Sequence, residues 1–127
     1  MYFRCIEKHC IHGERKRMVK TADSSKYLPL SETTFYTMLC LVEPMHGYAL
    51  MQRVKDISEG TVQLGAGTLY TIFSTLEKEE LIKMVREADR RKTYALTHKG
   101  KQLLLQQIHR LEIMASNGQR AMKLLGE

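Results

Sequence analysis

Apolar residues recur at helical spacing in the first part of the chain that follows the polar residues 21–26. After Ser31, which can cap a helix N-terminus, they are Phe35, Met38, Leu39 and Val42. This pattern predicts a first helix that ends before Pro44. The residues 45–47 predict a turn, and a second helix follows with Tyr48, Met51, Val54 and Ile57 on one face until Gly60 ends it.

A third helical pattern follows Gly65-Ala66-Gly67. Its apolar residues lie at i, i+3, i+4 and i+7: Leu69, Ile72, Phe73 and Leu76. Two glycines before a helix can also cradle a nucleotide, but a dinucleotide-binding fingerprint needs glycine at position 70, which is tyrosine. A P-loop needs a lysine before its Ser or Thr, and residues 56–77 contain none. We therefore expect no cofactor, and we interpret the glycines as a tight entry to the third helix.

The last third of the chain predicts a hairpin and one long helix. Residues 83–87 and 92–96 alternate like strands around a turn at 88–91. Thr97 then caps a helix whose seam repeats every three and four residues: Leu104, Ile108, Leu111, Ala115, Gly118, Met122 and Leu125. A seam in such strict heptad register is typical of helices that pair with one another. It predicts a dimer, with every seam position except Gly118 taken as an interface residue.

These elements predict a mainly α fold with a small β-hairpin. Three short helices followed by a two-stranded wing describe a winged helix-turn-helix, here with a long C-terminal dimerisation helix. We divide the chain into an N-terminal extension (1–27), a winged helix-turn-helix domain (28–97) and the dimerisation helix (98–127).

Charge distribution favours a polyanionic partner. The net charge is +6 over the 127 residues, but residues 31–80 carry −4 while residues 1–30 and 81–127 carry +4 and +6. Basic segments on either side of an acidic middle favour contact with a polyanion from particular elements. No apolar run is long enough to span a bilayer, and charges interrupt the N-terminus, so we expect a cytoplasmic protein without a membrane partner.

Metal binding and catalysis have little support in the sequence. Cys5, His9, Cys10 and His12 are weak metal-ligand candidates, because their spacing matches no closed structural site. We expect no metal there, and Cys40 fits a small core residue. His46 and His98 lack a carboxylate and a nucleophile at suggestive positions, so we expect no enzyme.

The polar face of the third helix suits DNA. Thr68, Thr71, Thr75 and Lys78 fall on this face by spacing, with Tyr70 and Ser74 beside them. These side chains offer hydroxyls and little bulk, and residues 63–76 carry no charge. An ordinary solvated face usually carries Glu, Lys and Arg. We predict base and phosphate contacts from every one of these residues except Thr75, namely Thr68, Tyr70, Thr71, Ser74 and Lys78, with Gln63 near a phosphate. The basic hairpin tip would hold the DNA backbone through Arg90, Arg91 and Lys92.

Several segments together resemble the PadR-type transcriptional regulators, over roughly four fifths of the chain. They are His46-Gly47-Tyr48, Gly67-Thr68-Leu69-Tyr70, Leu76-Glu77 with Leu81-Ile82, and Tyr94-x-Leu96-Thr97-x-x-Gly100. The resemblance implies a homodimeric repressor that places its third helix in the major groove of double-stranded DNA at an inverted repeat. Similar short-tailed proteins often bind a small aromatic or amphipathic effector near the dimer interface.

Two other functions remain open at this point. The N-terminal Cys/His segment would suit a metal- or thiol-responsive sensor. A protein-interaction adaptor could also keep the winged fold without binding DNA.

Overall fold

The computed structural model describes residues 25–126. Within that range the elements are α1 (Glu32–Cys40), β1 (Met45–His46), α2 (Gly47–Ile57), α3 (Ala66–Lys78), β2 (Ile82–Ala88), β3 (Arg91–Leu96) and α4 (His98–Leu124). The strands form one antiparallel sheet in the order β1-β3-β2. The predicted fold class, a winged helix-turn-helix with a long final helix, is confirmed.

Side-chain caps define where several helices begin. The Ser31 hydroxyl accepts a hydrogen bond from the Thr34 amide at 3.2 Å, as predicted. At α4, the Thr97 hydroxyl accepts from the Gly100 amide at 3.0 Å. Each cap satisfies one of the amides that a helix leaves unpaired in its first turn.

One hydrophobic core joins the four helices to the sheet. Its most deeply buried apolar side chains come from every layer: Met38, Leu41, Leu50, Val54, Leu81, Ile82 and Leu103. Cys40 is buried beside them, as predicted, and burial raises the pKa of its thiol. Tyr27, at the end of the extension that we delimited, also packs against this core.

The predicted turn at 45–47 was wrong. Met45 and His46 form strand β1, which pairs with Tyr94 and Thr93 of β3, and Gly47 already begins α2. A two-residue strand is too short to show alternation, and its partner lies almost 50 residues along the chain, so no local pattern indicates it.

The predicted inner face of α2 was partly wrong. Val54 is buried, but Leu50 takes the second core position, while Tyr48 is 64 % exposed and Ile57 lies at the surface. In α1, Val42 is also exposed, because the helix ends at Cys40. Apolar residues on more than one side of a short helix leave its rotation undetermined by spacing alone.

The glycines before α3 are not needed for a turn. Gly65 is the N-cap with an ordinary φ of −88°, and Gly67 lies inside the helix. A Cβ added at either position would meet no atom within 4 Å. Our interpretation of these glycines as a tight entry is therefore corrected. Their small size matters instead by leaving open space on the outer surface of the helix.

Helix α4 is continuous over 27 residues, or about 40 Å. Only its first half packs on the chain's own core, through Gly100, Leu103, Leu104 and Gln107, and every residue of 113–126 is exposed. No helix within residues 25–126 combines the length and apolar character of a membrane span.

Candidate nucleic-acid interface

Helix α3 presents the predicted contact residues on its outer surface. Thr68, Tyr70, Thr71, Ser74 and Lys78 are all exposed, and Gln63 is exposed in the segment before the helix. Leu69, Phe73 and Leu76 are buried on the opposite side, as their spacing predicts. Sequence reasoning therefore separated the two faces of α3 correctly.

The outer face of α3 is narrow and contains small side chains. At 100° per residue, Gly67, Thr71, Ser74 and Lys78 run along its centre, with Thr68 and Tyr70 on either side. Tyr70 is 74 % exposed, and it is the largest side chain of this group. A helix with such a face can approach base edges closely, with Tyr70 as the one bulky group that would reach beyond the backbone of its neighbours.

The N-terminus of α3 leaves backbone donors available. Gly65 supplies no side-chain cap, and its carbonyl accepts from the Leu69 amide at 3.0 Å. The amides that precede Leu69 are the ones a helix cannot pair internally, so they can bind a phosphate. Thr71 uses its hydroxyl proton on the Gly67 carbonyl at 3.1 Å, which leaves its oxygen as an acceptor toward a base.

Two contacts fix the orientation of α3 against its neighbours. The rings of Phe73 and Tyr94 lie 4.7 Å apart between α3 and β3. On the other side, a Cβ at Gly47 would lie 3.2 Å from Leu69 Cδ2, so the start of α2 packs closely on α3. The two helices of the helix-turn-helix therefore meet where glycine allows their close approach.

The Ser58 side chain stabilises the segment that connects α2 to α3. It is buried, and its hydroxyl donates to the Val62 carbonyl and accepts from the Val62 amide, both at 3.1 Å. This pair replaces the backbone hydrogen bonds that an irregular buried segment lacks. The sequence gives no indication of this role, because a serine near a helix end is usually exposed.

Two carboxylates act on Tyr94: Glu77 on α3, and Glu87 on β2, which pairs with Lys92 beside the wing tip. Burial first, and then the charges of Glu77 and Glu87 and the nearby Tyr70 hydroxyl, raise the pKa of Tyr94. Glu77 would repel phosphates where α3 meets the wing, whereas Glu87 lies opposite the cation Lys92. Backbone contacts are therefore expected at the wing tip and along α3, rather than in the crevice between them.

The wing tip displays three cations on a tight turn. Arg90, Arg91 and Lys92 are exposed, and the hairpin reverses at Asp89 and Arg90 with φ values of 52° and 64°. The turn spans residues 88–91, as predicted, and its two central residues are both left-handed, as a type I′ turn requires. Neither is the glycine that this conformation favours. The left-handed conformation of Arg90 therefore costs backbone energy that glycine would not.

We expect Arg90→Gly to stabilise the fold while weakening DNA binding. Glycine relieves the left-handed strain and should raise the free energy of unfolding by about 0.5–1 kcal/mol, measured by urea denaturation. Loss of one phosphate contact should reduce the salt slope of DNA binding by about one.

Arg91→Gly is the matched control for this prediction. It removes the same charge from a β3 position without positive φ, so it should lower stability. If Arg90→Gly also lowered stability, the strain at the tip would be refuted.

One exposed side chain near this surface escaped the sequence analysis. Tyr48 stands in the first turn of α2, and its exposure makes it available to a DNA backbone. Its apolar character placed it in the predicted core face, so the only signal was the His46-Gly47-Tyr48 motif itself.

The predicted dimer seam on α4 has two parts: its first residues pack on the chain's own core, and the later ones are exposed. Leu104 is only 4 % exposed because it belongs to the chain's own core, and Ile108 is partly buried against that core. Leu111 is half-buried, whereas Ala115, Gly118 and Met122 are exposed along one stripe. Leu125 is the C-cap residue, just past the last turn. The seam available to a partner therefore runs from Leu111 onward.

The predicted metal-ligand candidates cannot be placed. Cys5, His9, Cys10 and His12 lie outside the described residues. Between residues 25 and 126, no three His, Cys, Asp or Glu side chains come together as a metal site would require.

Comparison with known proteins agrees with this architecture. The chain is 33 % identical over 66 residues to an uncharacterized 37.1 kDa protein in transposon Tn4556 of Streptomyces fradiae, covering 52 % of this chain and 19 % of that protein. It is 33 % identical over 70 residues to protein X of Lysinibacillus sphaericus, covering 52 % and 64 %. The chain thus matches less than two thirds of the length of either relative.

A solved structure and a family model extend the comparison. The PadR-like transcription factor of Bacteroides fragilis superposes with a TM-score of 0.61 at 21 % identity, covering 79 % of this chain and 99 % of that one. The sequence model of the PadR-like transcriptional regulators matches residues 38–106, which run from α1 into α4. The chain belongs to the PadR-like family of transcriptional regulators.

Proposed function

We propose that the protein is a cytoplasmic homodimeric repressor that binds an inverted-repeat DNA site through α3 and the wing. The observation that carries this proposal is the outer face of α3. It is exposed, rich in hydroxyls and free of charge through residue 76, before Glu77 and Lys78, and such a run without charge is unusual for a face that meets only water. Family membership supplies the regulatory role, and the contact residues are inferred from their position.

The proposed contacts are of two kinds, contacts to bases and contacts to phosphates. Thr68, Tyr70, Thr71 and Ser74 would meet base edges in the major groove, since their side chains are short or planar and uncharged. Lys78, the wing tip and Gln63 would meet phosphates, with Tyr48 as an additional backbone contact. A single lysine on α3 means that the wing supplies most of the positive charge near the DNA.

Substitutions on α3 should change sequence preference. Tyr70→Ala and Thr71→Val remove exposed groups without opening the core, so the fold should survive. Each loss should alter the preferred base at one position, with discrimination falling by about 1–3 kcal/mol, or roughly 5- to 150-fold. The measurement is binding to a panel of duplexes that differ by one base pair.

The control is Leu105→Ala, which removes an exposed apolar side chain from α4. It should leave the preference unchanged. If Tyr70→Ala and Thr71→Val also left every preference unchanged, α3 would not be the element that reads bases.

The projecting half of α4 supports dimerisation. Residues 113–126 extend about 20 Å without contact to the chain's own core, and Leu111, Ala115, Gly118 and Met122 form one stripe along it. Two such helices packed together would bury these apolar groups. The dimer would also present two copies of α3 about one DNA turn, roughly 34 Å, apart.

Leu111→Glu combined with Met122→Glu should yield monomers, because two charges would enter the proposed seam. Leu104 is unsuitable for this test, since a charge there would disrupt the chain's own core. Sedimentation velocity provides the measurement.

Ile113→Glu with Leu124→Glu is the matched control, because both residues are exposed on the opposite side of the same helix. This pair should remain dimeric. An intact dimer for the seam variant would refute the heptad interpretation.

The proposal also includes a small aromatic or amphipathic effector. Support comes from family resemblance and from the exposed methionines Met114 and Met122 on the proposed dimer helix. Methionine side chains adapt to flat or irregular ligands.

Salt dependence tests the proposal against the adaptor alternative. A DNA-binding protein should bind random duplex DNA with an affinity that falls steeply as salt increases. An adaptor that kept only the fold would show almost no binding at any salt concentration.

A further inference from the structure

Helix α4 binds the three carbonyl groups that follow α3. Lys99 Nζ donates to the Glu79 carbonyl at 3.0 Å, and the Thr97 hydroxyl donates to the Glu80 carbonyl at 2.7 Å. The Thr97 amide donates to the Leu81 carbonyl at 3.0 Å. Three successive peptide groups at the end of the proposed reading helix are thus held by the first turn of the proposed dimerisation helix. We call residues 79–81 with 97–100 the junction.

The end of α3 is already complete without the junction. The Leu81 amide donates to the Leu76 carbonyl at 2.8 Å, and Glu80 takes a left-handed φ of 62°, as residues after a helix end often do. These bonds satisfy the last turn of α3 internally. The donors from α4 therefore add a connection between two elements rather than finishing one of them.

Close packing makes this connection stiff. A Cβ at Gly100 would lie only 2.1 Å from the Leu81 carbonyl oxygen, so the backbone of α4 rests directly on the chain that leaves α3. No flexible side chain lies between the two backbones at this point. A shift of α4 therefore has to move residue 81 with it.

Tyr27 adds a second link at the same place. Its hydroxyl donates to Glu79 Oε1 at 2.7 Å and accepts from Lys99 Nζ at 3.1 Å. The ammonium groups of Lys26 and Lys99 lie 5.1 and 5.3 Å from the centre of its ring. The hydrogen bond from Tyr27 lowers the pKa of Glu79, and the bond to Tyr27 raises the pKa of Lys99, so both groups are charged at neutral pH.

We propose that Thr97 and Lys99 are positioning residues for DNA binding: they fix α3 relative to α4 and so set the spacing between the half-sites that a dimer accepts. This inference rests on the proposed function, since α4 must dimerise and α3 must read DNA. With the junction intact, the two copies of α3 are held at one distance and rotation. One base pair added between half-sites separates them by about 3.4 Å and rotates them by about 35°, which a stiff junction cannot follow.

A simpler role for Thr97 is that of helix cap alone. Its hydroxyl accepts from the Gly100 amide while it donates to the Glu80 carbonyl, and these two tasks can be separated. Aspartate at this position would keep the acceptor for the cap but has no proton for Glu80. Serine would keep both. Lys99→Met removes a donor from an exposed position without changing the cap.

The experiment measures spacing tolerance with the full chain. Wild-type protein first selects its operator from random duplexes. Dissociation constants are then measured for that operator, for versions with one base pair added or removed between half-sites, and for a duplex with one half-site. The variants are Thr97→Asp and Lys99→Met, with Thr97→Ser as the control.

The wild type and Thr97→Ser should lose about tenfold or more in affinity when the spacing changes. Thr97→Asp and Lys99→Met should lose only about threefold, while their affinity for one half-site stays within about twofold of the wild type. A general loss of stability would weaken all duplexes alike and would not flatten the spacing dependence.

The inference is overturned if folded Thr97→Asp or Lys99→Met keeps the full spacing penalty of the wild type. If Thr97→Asp fails to fold, Lys99→Met decides alone. If the wild type selects no DNA, or no paired half-sites, the proposed function itself fails. By contrast, the wild type could bind a correctly spaced operator while the variants tolerate altered spacing no better than the wild type does. In that case only the inference about the junction fails.

Discussion

Replacing Gly100 with alanine is expected to lower the free energy of unfolding by about 3 kcal/mol. The added Cβ would lie 2.1 Å from the Leu81 carbonyl oxygen and 3.3 Å from Leu96 Cδ2. The first neighbour is backbone, which cannot rotate away as a side chain can. Either α4 moves off the core or residue 81 shifts with the end of α3. Urea denaturation followed by circular dichroism measures the change.

Gly67→Ala is the matched control, at a glycine inside α3 that lies outside the proposed dimer seam. Its Cβ would meet nothing within 4 Å, so alanine should stabilise α3 by up to about 1 kcal/mol through helix propensity alone. Equal effects at the two glycines would show that α4 does not rest on residue 81 as described. The contrast separates a packing requirement from the general preference of helices for alanine.

Neutralising the wing tip is expected to have the largest effect on DNA affinity. Arg90→Gln, Arg91→Gln and Lys92→Gln together remove three exposed cations from the turn. If each meets one phosphate, the slope of log affinity against log salt should fall by about 2–3 units, and affinity should fall roughly 10- to 100-fold at moderate salt. All duplex sequences should be affected alike, because backbone contacts carry no base information.

The control removes the same charge from α4. Arg110, Arg120 and Lys123 are exposed, and replacing all three by glutamine lowers the net charge equally far from the wing. A wing variant with the salt slope of the wild type would exclude the tip from the interface. Equal losses in both variants would indicate attraction by net charge rather than by the tip.

The sequence predicted the faces of α3 and the existence of α1 to α4, the helices between residues 32 and 124, because apolar spacing is a local property. The side chains that face the core are Leu69, Phe73 and Leu76, as their spacing indicates. Tyr70 and Thr71 are exposed on the outer face, also as predicted. The wing was also predicted, from two alternating segments around a charged turn. In each case the residues that determine the element lie within a few positions of one another.

What the sequence could not show depends on distant partners. Strand β1 exists only because β3 pairs with it, and Leu104 lies in the core rather than at a surface because α4 begins by packing on the rest of its own chain. A heptad pattern looks the same whether the helix packs on its own chain or on a partner chain, because the spacing of apolar residues does not depend on which surface they contact.

Gly100 is another residue whose role could not be recognised from the sequence alone. The motif Tyr94-x-Leu96-Thr97-x-x-Gly100 was visible in the sequence, but its meaning was not. The requirement for glycine arises from the carbonyl of Leu81, which belongs to another element, and the Thr97 hydroxyl binds that same segment through Glu80. Neither partner can be located before the chain is folded.

Selection of bound duplexes from a random pool tests most directly whether two copies of α3, carried by an α4 dimer, read DNA together. If they do, the pool should be enriched in an inverted repeat whose half-site centres lie about one helical turn, roughly 34 Å, apart. Enrichment of no sequence, or of unpaired half-sites at random spacing, would contradict it.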